Sequence, residues 1–163
     1  MMKVLKKFAT TILVAAMGMS LVACGKSAKK ITGKEFKKAL KSDYTVQENE
    51  NDDCEEEYIA VNEDGTIMII YDLFESKSDA KAFWQDGYDT IDEALDDEEF
   101  DGDLEKKGNK ITAKGTFEDN DYFDGDAYIV VIRAEEMVIT VYAQDTSKST
   151  IKEADKAIES LGF

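Results

Sequence analysis

The chemistry open to this chain is bounded by its 36 acidic residues, two cysteines, a single arginine and the complete absence of histidine. Without imidazole there is no histidine general acid or base, no Ser-His-Asp triad and no imidazole metal ligand, which removes most hydrolase designs. The glycines stand singly, and none of the phosphate-cradling spacings is met. Cys54 lies among Asp52, Asp53, Glu55, Glu56 and Glu57. A thiolate is disfavoured beside like charges, so Cys54 reads as a surface-strand or loop thiol rather than a nucleophile. Arg133 sits in an apolar run, where pairing with a carboxylate such as Glu135 or Glu118 fits better than substrate binding. Two carboxylates could serve glycoside hydrolysis, but with this many acids such spacings arise by chance, and no aromatic sugar platform accompanies them.

The segment Asp97-x-Glu99-x-Asp101-Gly102-Asp103-Leu104 comes nearest to a cation loop, with acids at the first, third and fifth positions, glycine sixth and an apolar residue eighth. An EF-hand needs a bidentate carboxylate at position twelve, and here that position is Gly108, beside a strand-like pattern rather than a second helix. A solvated turn is the better reading. Asp119, Asp121, Asp124 and Asp126 could hold cations only loosely. No catalytic, cofactor-binding or metal-ligating residue is therefore assigned.

The remaining reactive residue, Cys24, closes the string Leu21-Val22-Ala23-Cys24 at the end of an apolar run that follows Lys3, Lys6 and Lys7. A basic start, a short apolar stretch and small residues before a break describe a secretory signal peptide. The run is interrupted by Thr10, Thr11, Gly18 and Ser20 and falls short of the ~20 apolar residues a spanning helix needs. Leu21-Val22-Ala23-Cys24 resembles the lipobox of bacterial lipoproteins. The resemblance implies a diacylglycerated Cys24 thiol, cleavage before it, and a chain held on the extracytoplasmic face of the cell membrane by its acylated N-terminus. The expected organisation is a signal peptide over residues 1–23, a lipidated cysteine with a short basic tether over 24–30, and one acidic domain over 31–163. Lys26, Lys29 and Lys30 in the tether would lie against anionic headgroups, each contributing about 1 kcal/mol. Gly25 after the cysteine carries no Asp-type retention signal.

The elements that must position these residues follow from pattern. Thr32 and Glu35 have capping-box spacing, Ile31 and Phe36 staple spacing, and Phe36, Ala39 and Leu40 share one face of a short helix. Strand patterns follow at Tyr44-Thr45-Val46 and residues 58–61, with an acidic loop between them over 48–57. Asn62-Glu63-Asp64-Gly65 then forms a turn into residues 66–74, a run apolar on both faces except for Asp72. Ser76 and Asp79 open the longest helix, whose stripe of Ala80, Phe83, Trp84, Tyr88, Ile91 and Leu95 predicts aromatic docking, with Trp84 in the core. An acidic run over residues 96–103 ends this helix and crosses to a new strand, which Lys107-Gly108-Asn109 turns into a half-exposed strand over 111–117, where Gly115 reads as a bulge. A second doubly apolar strand over 127–134 turns at Glu135-Glu136 into a last strand over 137–143. A final helix begins near Ser147, buries Ile151, Ala154, Ile158 and Leu161, and stops at Gly162.

The order is helix, three strands, long helix, four strands, helix. This predicts an α+β fold, an antiparallel sheet of about seven strands with helices packed on it and the two doubly apolar strands inside. Tyr58-Ile59-x-Val61 echoes Tyr128-Ile129-x-Val131, and Tyr71 before Ser76-Lys77-Ser78 echoes Tyr142 before Ser147-Lys148-Ser149. A duplicated βββα unit and two units obeying the same rules both remain open. The chain is similar to small acidic lipoproteins of Gram-positive bacteria of unknown function, on its lipobox, its capped short helix, its Tyr-rich apolar hairpin, and a Ser-x-x-Asp-Ala-x-x-x-Phe helix start. Ser76, Asp79 and Ala80 match that start, and Phe83 stands one residue early. The resemblance implies no activity.

The first 23 residues hold three of the 20 basic residues and none of the acids, so the remainder balances at −19. Such a field argues against nucleic acid and anionic polymers as partners and suits a cationic or unidentified protein partner beside the bilayer. The leading expectation is a non-enzymatic binding or interaction module without a cofactor. The alternatives are a low-affinity divalent-cation binder whose acidic loops order on metal and, third, a carboxylate-based hydrolase.

Overall fold

A computed structural model describes residues 28–118 and 124–163. The signal segment, Cys24, Asp119 and Asp121 lie outside the described residues. The chain forms α1 (Gly33–Leu40), β1 (Tyr44–Asn49), β2 (Glu56–Asn62), β3 (Ile67–Leu73), α2 (Lys77–Asp96), β4 (Phe100–Lys107), β5 (Lys110–Phe117), β6 (Gly125–Ala134), β7 (Met137–Ala143) and α3 (Lys148–Ser160). All seven strands join one antiparallel sheet in the order β1-β2-β3-β7-β6-β5-β4. The α+β architecture expected from the pattern is the one observed.

Two meanders build the sheet. Strands β1 to β3 run outward to inward, α2 then crosses to the far edge, and β4 to β7 return until β7 pairs with β3. The doubly apolar β3 and β6 are interior, as their patterns require, but the middle position belongs to β7. Met137, Val138 and Ile139 are fully buried there. Alternation sends Ile67, Ile69, Tyr71, Ile139 and Val141 into one core with Phe36 and Leu40 of α1 and Ala154 and Ile158 of α3. On the other face Ile111, Ile129, Val131 and Val138 meet Ala80, Trp84, Ile91 and Ala94 of α2.

Caps hold the helices as their spacing predicted. Glu35 Oε2 accepts from Thr32 N at 2.8 Å while Thr32 Oγ1 accepts from Glu35 N at 3.3 Å, a complete capping box. Ser76 and Ser147 cap α2 and α3. Ala28 and Ile31 pack on the α1 core, and Lys30 bonds Glu136 at 3.0 Å, so the end of the expected tether already lies against the folded body.

Several local expectations are corrected. The first strand continues to Asn49, which shortens the acidic loop to residues 50–55. Gly115 is not a bulge: it pairs with Gly102 in an unbroken register. A Cβ at Gly115 would come within 2.6 Å of Gly102 Cα and 2.8 Å of the Phe100 ring, so close backbone approach explains the glycine. In α2 the stripe rotates: Ala94 is buried where Leu95 was expected, and Phe83 is 45% exposed, resting its ring 5.1 Å from Phe74. The second sheet face is helix-covered only over its β4 to β7 half. Ile59, Val61, Met68 and Ile70 on the other half are therefore only partly buried.

Candidate functional site

Acidic residues expected to gather in loops are not brought together among the described residues. Asp101 and Asp103 lie in β4, a regular strand, which disposes of the cation-loop geometry and corrects the solvated turn expected there. Asp126, in β6, accepts from Thr116 Oγ1 at 2.7 Å. Arg133 pairs with neither Glu135 nor Glu118. Its Nη2 donates to Asn109 Oδ1 at 3.1 Å and its guanidinium lies 5.7 Å from the Trp84 ring centre, because the β4–β5 turn and α2 flank it. Glu135 is taken by Lys77. Trp84 is core as expected, its Nε1 donating to the Val131 carbonyl at 3.4 Å.

The sheet does assemble one cluster with chemical capacity. Asp72 of β3 stands opposite Glu57 of β2 in the strand register, on the α2 face. The β1–β2 loop folds back over them, held by Glu55 N donating to the Leu73 carbonyl at 2.6 Å and Cys54 N to the Asn51 carbonyl at 3.3 Å. Cys54, Glu57 and Asp72 thereby bring one sulfur and two carboxylate oxygens within 4.8 Å of one another. The thiol faces Asp72 Oδ1 at 4.0 Å. Asn51 Nδ2 donates to Glu57 Oε2 at 2.7 Å, and Asn49 Nδ2 bonds the other Glu57 oxygen.

Burial and mutual repulsion divide the protons unevenly. Asp72 is only 3% exposed. Burial, its hydrogen bond with Glu57 and the Glu57 charge push its carboxyl up to about 8. Burial alone would raise Glu57 too, but the Asn51 and Asn49 amides and the Asp72 contact hold it below its ordinary value. Burial, with the charges of Asp72, Glu57 and Asp53, pushes the Cys54 thiol up to about 11. At neutral pH the group is thus a protonated Asp72 sharing its hydrogen with an ionised Glu57, beside a thiol. Such a cluster can hold a proton, or exchange its protons for a divalent cation, but it offers no thiolate nucleophile.

Along the sequence Cys54 stands in an acidic neighbourhood and Asp72 is the one polar residue of its strand, but no spacing joins them. The signal was the solitary carboxylate in a doubly apolar run, but only the β2–β3 register and the loop's return supply its partners.

Among the described residues no helix is long and apolar enough to cross a membrane. No protein-family model and no curated protein matches the chain. Among solved structures, the fold is similar to the extracellular domain of PknH from Mycobacterium tuberculosis, over 80% of this chain and 91% of that one, with 11% identity and a TM-score of 0.41, a likeness that carries no statement about function.

Proposed function

We propose that this chain is a membrane-anchored, extracytoplasmic lipoprotein whose acidic α+β domain works as a non-enzymatic binding or interaction module. The observation that carries the anchor is Leu21-Val22-Ala23-Cys24 behind a cationic start and an interrupted apolar run. The domain's chemistry supports the non-enzymatic part: there is no histidine, and Cys54 is held as a thiol. Metabolic labelling with an alkyne fatty acid in a bacterial host tests the anchor. The wild type incorporates label and begins at Cys24 by mass spectrometry, while Cys24→Ala incorporates none. Labelling that survives Cys24→Ala would sink the reading.

A second reading, divalent-cation binding, is favoured by the meeting of Cys54, Glu57 and Asp72 rather than by the acidic loops. A thiolate with two carboxylates suits a borderline ion of the zinc class better than calcium, whose ligands are oxygens. Zinc would raise the thermal midpoint of the wild type at pH 7.5 and leave Cys54→Ser unmoved. Calcium and magnesium would give only the small, equal rise expected from screening a −19 domain. Equal responses of wild type and Cys54→Ser to zinc would dismiss the site.

A further inference from the structure

Charge is not spread evenly over this acidic domain. Residues 33–41, α1 and its cap, hold Lys34, Lys37, Lys38 and Lys41 against a single acid, Glu35. α2, on the opposite face of the sheet, holds six acids against Lys77 and Lys81. The four lysines fall at i, i+3, i+4 and i+7, so they form one stripe along the helix, and all four are exposed. Lys34, Lys38 and Lys41 form no ion pair among the described residues. Lys37, Lys38 and Lys41 border an open groove against Tyr44 and Val46 of β1, and the Lys37 ammonium sits 4.2 Å from the Tyr58 ring centre.

The position of the anchor gives that stripe a partner. Ala28 packs on the same core as α1, so the chain enters the fold on the α1 side of the sheet. Four peptide units separate Cys24 from Ala28, and four extended units reach about 14 Å at most. An acylated Cys24 would therefore hold the α1 side within a short step of the bilayer. At that range an exposed lysine row is attracted by anionic headgroups, whereas the acids of α2 are repelled.

We infer that the lysine stripe of α1 is a headgroup-binding surface, which lays α1 on an anionic membrane and turns the acidic α2 face outward, away from it. The inference rests on the anchored reading above and adds to it an orientation and a lipid chemistry. The phosphates belong to lipids, and the groove beside Tyr44 and Val46 is where one enters.

The test uses the full lipidated chain reconstituted in vesicles of phosphatidylcholine alone or with one-third phosphatidylglycerol. Vesicles are floated, and lysine acetylation rates are read by mass spectrometry on the floated fraction. Lys34, Lys38 and Lys41 are expected to be protected about fivefold or more by the anionic lipid, and to lose that protection in high salt. Lys77, Lys81 and Lys107 are expected to react equally in both vesicles. Lys34→Gln/Lys38→Gln, two exposed changes that leave the core untouched, should also deprotect Lys41. Chains that float with α1 lysines equally reactive in both vesicles overturn the inference alone. Chains that fail to float overturn it together with the anchor. Equal protection by soluble glycerol phosphate in place of anionic lipid would replace the membrane surface with a free phosphate ligand and overturn it as well.

Discussion

Asp72 is the residue on which the behaviour of the interior turns. In an unfolded chain an aspartate ionises near 4, whereas in the fold Asp72 keeps its proton to about 8. Between those values the native state binds a proton the unfolded state has lost, so Asp72 makes stability fall as pH rises from about 4 to 8 and level off above. Asp72→Asn keeps the size and a donor toward Glu57 without the titration. Its thermal midpoint should exceed that of the wild type by on the order of 15 °C at pH 8.5 and approach it near pH 4.5. Scanning calorimetry across that range checks the prediction, and a parallel pH dependence in the two proteins would refute it. Cys54 in the same cluster should react slowly with maleimide at pH 7, since its thiol is pushed up to about 11.

Among the elements, α2 and the β4–β5 hairpin show how packing, beyond periodicity, selects which residues matter. Trp84 is buried and bonded to Val131, whereas Phe83, its neighbour in the expected stripe, is half out of the fold. Trp84→Ala should cost about 3–5 kcal/mol and Phe83→Ser under about 1 kcal/mol, measured by urea unfolding. Gly115→Ala should cost about 1–3 kcal/mol, because the added methyl meets the Gly102 backbone and the Phe100 ring and neither is a flexible side-chain end. The echo between the two halves also belongs to this scale. Strands β1-β2-β3 and β5-β6-β7 meet at the β3–β7 pair in mirrored order, and Tyr58 and Tyr128 lie on the same face. The echo breaks one residue later in spacing. Tyr71 points into the α1 and α3 core while Tyr142 packs on the other, since a shift of one residue changes face. The helices follow suit: α2 and α3 share a serine cap but lie on opposite faces.

For the whole molecule, the sheet order makes β7 the last strand of a four-stranded meander and the strand that closes it onto β3. Its amides are protected by partners on both sides and by helices on both faces. They should be the slowest in hydrogen exchange, with β1 and β4, each paired on one side only, the fastest among the strands. Finding β4 as protected as β7 would contradict this architecture. The same order leaves half of one face without a helix, where Ile59, Val61, Met68 and Ile70 stay partly exposed. In the orientation inferred for α1, that face and α2 are turned away from the bilayer.

The number of elements, their order and nearly all their caps are legible along the chain, because helix and strand periods, capping boxes and turn glycines are local signals. Thr32 with Glu35, Ser76, Ser147, Gly65 and Gly162 each act within a few residues of themselves. The sequence also carries the string around Cys24 and the excess of acid. The fold has to assemble before β7 is central, α2 and α3 take opposite faces, Arg133 finds Asn109 and Trp84, and Cys54, Glu57 and Asp72 meet. Each of those depends on which strand lies beside which, and strand pairing joins residues far apart in sequence whose spacing encodes a face but not a neighbour.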